Sequence, residues 1–186
     1  MKKAVLFVTM ALLMTSLLRA ETDLERLYAY YSGKQYAKAC QLGLKIFNRH
    51  KKNSKFLMLY GLSCLNADYI DRLAVPMTGL RYTKTERANA SYFATIILQK
   101  KLLYHALLDG VNISDLRLPK TGYVLSRVFD MYVRHAYEKV GNAYHFRSET
   151  DPSLTYVLYT VQSGRAPKMI IEERVDGRLI KTHRYW

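Results

Sequence analysis

From Asp23 to about Lys139 the apolar residues recur mostly three and four apart, the spacing of one helix face. Leu24, Leu27, Tyr28 and Tyr31 form a first stripe, which Ser32 and Gly33 break. Tyr36, Ala39, Cys40, Gly43, Ile46 and Phe47 form a second, and Lys51, Lys52 and Asn53 supply a polar turn. Phe56, Leu57, Tyr60, Gly61, Cys64 and Leu65 form a third. Asn66 to Asp68 lead into Tyr69 to Leu80, where Pro76 should kink or shorten the helix. The longest run opens near Thr85 and ends at Gly110. A capping helix is expected from about Thr121 to Val140, after a loop containing Pro119. Beyond Gly141 the period shifts towards two. Ala143–Arg147, Leu154–Val161, Lys168–Val175 and Arg178–Arg184 read as strands, and Asp176-Gly177 is a strong hairpin signal because both residues tolerate positive φ.

These elements predict an α+β protein. Antiparallel helical hairpins make a repeat-like body over residues 21–140. A small antiparallel β-meander of three or four strands over 141–186 packs on the helices, chiefly on Tyr123 to Tyr137. Gly33, Tyr36, Ala39, Gly43 and Ile46, followed by Tyr60-Gly61 and Asp68-Tyr69, loosely resemble tetratricopeptide-repeat helical hairpins over about residues 22–100. That resemblance implies stacked helix pairs with a concave groove suited to a peptide or a partner helix. An irregular helical bundle is the alternative. The whole chain also resembles uncharacterised secreted bacterial proteins, which implies no activity.

The first twenty residues change the picture of where the protein works. Lys2 and Lys3 precede an apolar run from Ala4 to Leu18, and Ala20 offers a small residue before Glu21, Thr22 and Asp23. This is the layout of a secretory signal peptide over 1–20, with cleavage near Ala20 and a periplasmic or otherwise exported destination. The run is shorter than the roughly 20 apolar residues of a spanning helix. In such a compartment disulfides persist. Cys40 and Cys64 lie on neighbouring expected helices, so a disulfide between them is geometrically accessible; two small buried thiols are the alternative.

Composition narrows the classes further. Apolar residues make up 49%, so the chain can bury a core and is not disordered. Lys plus Arg exceed Asp plus Glu by 29 to 15, so the partner should be anionic. The excess is concentrated. Between Arg26 and Leu65 stand Arg26, Lys34, Lys38, Lys45, Arg49, Lys51, Lys52 and Lys55, with no acid among them. Lys34, Lys38 and Lys45 share one side of a helix. The band reads either as a solvated face or as a docking patch for another envelope protein, an anionic polymer or lipid headgroups. Aromatic residues among the charges also suit single-stranded nucleic acid, but an exported protein rarely meets it.

Catalytic signals are absent. No Gly-x-Ser-x-Gly, phosphate-binding glycine loop or His-Glu-x-x-His occurs, and no metal or cofactor is expected. His50, His105, His135, His145 and His183 are scattered; His105 should lie on a mostly apolar helix face. His135 and His145 are the one pair that could converge, at the helix–sheet junction. Glu172 and Glu173 should point to opposite faces of a strand. Asp68 and Asp71 should cap a helix start. Asn89-Ala90-Ser91 and Asn112-Ile113-Ser114 match the minimal glycosylation acceptor, a weak signal. The expected function is a non-enzymatic periplasmic protein–protein interaction module. Binding of an anionic polymer or lipid surface is the alternative, and an enzyme with a site at the helix–sheet junction is the third reading.

Overall fold

A computed structural model describes residues 22–186. The expected signal peptide lies outside them. Helix α1 (Asp23–Ser32) starts at a reciprocal cap, in which the Glu25 amide donates to Thr22 Oγ1 and the Thr22 amide to Glu25 Oε2. It closes one residue after Gly33: Lys34 takes φ 56°, its amide donates to Tyr31 O, and the Gln35 amide donates to Tyr30 O. Helix α2 (Tyr36–His50) follows. Asn53 Oδ1 then accepts from the Phe56 amide and opens α3 (Ser54–Asn66). Cys40 is bonded to Cys64, and Gly43 lies against the Tyr60 ring. Rising positions on α2 thus meet falling positions on α3, and the pair is antiparallel.

Tyr69 to Leu80 is broken, as Pro76 leads one to expect. A 3-10 turn (Ile70–Leu73) precedes a six-residue helix α4 (Ala74–Gly79), whose first turn holds the proline where no amide is needed. Thr83 caps α5 (Lys84–Asp109), and Gly110 ends it in the left-handed region at φ 69°. Asn89 meets Met58, and Phe93 closes over Gly61, so α5 runs alongside α3 in the same direction. Helix α6 is Val124–Val133 and is buried on most sides.

The capping helix therefore ends seven residues before Val140. His135 enters the left-handed region at φ 56°. Its amide donates to Tyr132 O and the Ala136 amide to Met131 O, a complete helix stop. The released residues form a strand, so the sheet has five strands rather than three or four. They are β1 (Glu138–Val140), β2 (Ala143–Arg147), β3 (Leu154–Val161), β4 (Lys168–Val175) and β5 (Arg178–Tyr185), antiparallel in sequence order. One face carries Phe146, Tyr156, Leu158, Met169, Ile171, His183 and Tyr185, all buried in one core with α3, α5 and α6. Tyr104 Oη donates to Pro167 O at 2.6 Å, a tie between α5 and the β3–β4 turn. Among the described residues no helix is long and apolar enough to cross a membrane.

Candidate functional site

Two features could carry function: a buried polar cluster at the helix–sheet seam, and the basic face of the helical hairpins.

The cluster starts from the end of α3. The Asp68 amide donates to Leu65 O and the Tyr69 amide to Cys64 O, which closes α3 with Asp68 in the left-handed region at φ 62°. Asp tolerates that conformation better than most residues. Asp68 therefore stops a helix rather than capping a start, and its carboxylate is aimed at the sheet. There Oδ1 accepts from Tyr123 Oη at 2.5 Å and lies 2.8 Å from His183 Nδ1. His183 Nε2 lies 2.8 Å from Glu173 Oε1, and Tyr123 Oη is 3.1 Å from Tyr185 Oη. The five groups come from α3, the approach to α6, β4 and β5.

A β-bulge makes this meeting. Near the turn Arg174 pairs with Leu179, but Glu173 pairs with Lys181, so Ile180 is an extra residue on β5. A straight two-residue hairpin would put Glu173 opposite Ile180 and send His183 and Tyr185 to the outer face. The shift turns both onto the face of Glu173. Glu172 points the other way, to Arg174 at 2.6 Å and Tyr159 at 2.8 Å.

His183 is only 1% exposed. Burial alone would lower its pKa, but the hydrogen bonds to Asp68 and Glu173 outweigh it and hold the imidazole above its ordinary value. The His183 hydrogen bond holds Glu173 below the carboxylate range against its own burial. Burial first, then the neighbouring Tyr185 and Asp68 charges, push the Tyr123 hydroxyl well up, and burial does the same to Tyr185. The group is an imidazole bridging two carboxyl groups, which favour its charged form, and fenced by phenols whose protons burial retains. Both ring nitrogens are engaged, so neither is free to take a proton from a substrate.

Beside it lies a second buried cation. Lys100, 2% exposed, donates to Asp71 Oδ2 at 2.6 Å and to the Trp186 backbone oxygen. Burial lowers the Lys100 pKa, and Asp71 opposes that shift. Asp71 also pairs with Lys101 at 2.9 Å. A cleft of about 320 Å³ runs past Asp68, Tyr69, Asp71, Arg72, Lys100 and Trp186.

His135 and His145 do not converge. His135 Nδ1 sits 3.1 Å from Tyr137 Oη, whereas His145 leaves β2 on the face opposite Tyr144 and Phe146. His105 is exposed beside Asp109 rather than on an apolar face. No sequence motif marks the actual cluster, because its hydrogen-bonded pairs are 10 to 115 positions apart in the chain and meet only through the bulge.

The basic band lies open. Lys34, Lys38, Lys45, Lys51, Lys52 and Lys55 are all exposed, and among the described residues no carboxylate pairs with them. Arg49 differs: it pairs with Asp23 at 2.9 Å, so its charge is partly spent within the fold. Leu44, next to Lys45 on α2, is half exposed, and Lys38 Nζ lies 5.9 Å from the centre of the Tyr30 ring. Lys34, Tyr36 and Lys38 border a shallow depression shared with Asn66 and Ala67. Comparison with protein-family models, with curated proteins and with solved structures finds no match to this chain.

Proposed function

We propose that the mature protein is an exported, non-enzymatic interaction module whose α2–α3 basic face docks an acidic segment of another envelope protein. One observation carries this reading: six exposed lysines, from Lys34 to Lys55, run along the α2–α3 hairpin with exposed Leu44 on α2, and none pairs with a carboxylate of the described residues. Charge of one sign steers an anionic partner, and the apolar side chains among the lysines give contacts that salt does not screen. The histidine best placed for chemistry, His183, has both nitrogens occupied by carboxylates, which favours binding over catalysis.

The test is capture from the native envelope by the mature protein at low and at moderate salt, beside the variant Lys34→Glu/Lys38→Glu/Lys45→Glu. A protein partner should be retained by the parent at both salts and weakened by the triple reversal. Capture of only polymer or lipid, lost at moderate salt, would instead favour an anionic-surface binder. Capture indifferent to the reversal would leave the band as a solvated face.

A further inference from the structure

The sheet ends differently at its two edges. At one edge β1 has three residues, too short to template much pairing. At the other, β5 runs eight residues without proline, and no described residue pairs with its outer side. Along such an edge about every second backbone N–H and C=O points outward unpaired. Apolar side chains accompany this open edge: Leu179 is 54% exposed, Ile180 58% and Trp186 53%. From Gly177 to Trp186 there is no acid, and Arg178, Lys181 and Arg184 are all exposed. The bulge puts Arg178 and Lys181 on the helix-facing side of β5 and Arg184 on the other, so cations flank the edge on both faces.

We infer that β5 is a docking edge that takes an extended acidic segment of a partner protein as a sixth, antiparallel or parallel strand. Backbone hydrogen bonds would supply the pairing, Leu179 and Ile180 the apolar contact, and Arg178, Lys181 and Arg184 the selection for carboxylates. Charge argues against a second copy of this chain, which would double the positive charge along one seam. It also fits an alternating acidic strand better than a polymer without backbone donors. This inference does not rest on the helical face, since the two surfaces carry separate cations.

The experiment uses isotope-labelled mature protein with its disulfide intact and a synthetic peptide of about ten residues alternating glutamate with valine. The backbone amides of residues 178–185 should shift and exchange more slowly with solvent as peptide is added. Arg178→Glu/Arg184→Glu should weaken binding about tenfold or more, while Lys34→Glu/Lys38→Glu/Lys45→Glu leaves it unchanged. A peptide with alternate amides methylated should not bind. The inference is overturned if the β5 amides stay unmoved at millimolar peptide, or if the methylated peptide binds as well. It is equally overturned if the β5 reversal has no effect, if anionic vesicles move these amides and the peptide does not, or if the edge pairs with a second copy.

Discussion

Gly61 has no room for a methyl group. A Cβ there would lie 2.4 and 2.6 Å from two atoms of the Phe93 ring and 3.2 Å from Pro76 Cγ. Phe93 is fully buried between α3 and α5, so the ring cannot swing aside without moving a helix. Gly61→Ala should therefore destabilise the fold by about 1–3 kcal/mol, even though alanine is the better helix former by about 1 kcal/mol. Gly122, with open space around its position, is the control, and Gly122→Ala should change stability by no more than about 0.5 kcal/mol. Urea midpoints of the two variants decide the point; equal midpoints would mean that α3 and α5 yield freely. The spacing of small and aromatic residues along the chain already marks Gly43, Tyr60 and Gly61 as contact positions. His183 could not be found that way. Its face depends on one extra residue, Ile180, in β5, and hydrophobic alternation cannot register a slip that a bulge later absorbs.

Between elements, the strongest local tie is the Cys40–Cys64 bond across the α2–α3 hairpin. It closes a loop whose ends are 24 residues apart, and cross-linking a loop of that size stabilises by about 3 kcal/mol through the unfolded chain. Reductant should lower the urea midpoint of the parent and leave that of Cys40→Ala/Cys64→Ala unchanged. Free alkylation of both thiols in the purified protein would sink the idea. Sequence pattern locates most elements because their ends have local chemistry: Asn53 and Thr83 as caps, Gly110 as a stop, Asp176-Gly177 as a turn. It fails at α6 for an equally local reason. The stop is His135 rather than a glycine, so no residue in the sequence advertises it, and the apolar periodicity runs on past the true end and hides β1. Lys34 and Asp68 also end helices at positive φ, but there Ser32-Gly33 and Asn66 to Asp68 already mark the break in the pattern.

At the scale of the molecule, about half of the described acids hold a cation within the fold, while the basic band of the hairpin faces out. Asp23, Asp71, Asp130, Glu149 and Glu172 each pair with Lys or Arg, while Asp68 and Glu173 hold His183. Lys34, Lys38, Lys45, Lys51, Lys52 and Lys55 on the hairpin, and Arg178, Lys181 and Arg184 on β5, are exposed without such a pair among the described residues. The His183 cluster thus serves the whole architecture, since it fastens the edge strand to the end of α3. Its charge should be visible in the pH dependence of stability. The groups facing the imidazole are Asp68, Glu173, Tyr123, Tyr185 and Lys181, with Arg127 near Glu173. Folding raises the His183 pKa, so its contribution is complete below the unfolded value of about 6.5 and fades as pH climbs through the folded value. Folding lowers the Glu173 pKa, so its contribution is complete above about 4.3 and fades as pH falls through the folded value. Both act together between about pH 4.3 and 6.5. His183→Gln, which keeps a hydrogen-bond donor but no charge, leaves two carboxylates without their cation and should cost about 3 kcal/mol at pH 6. The deficit should shrink as pH climbs through the folded His183 value, above which the parent imidazole is also neutral. Urea midpoints of parent and variant across that range measure it. A constant gap would mean that packing and neutral hydrogen bonds, rather than charge, fasten β5 to the helices.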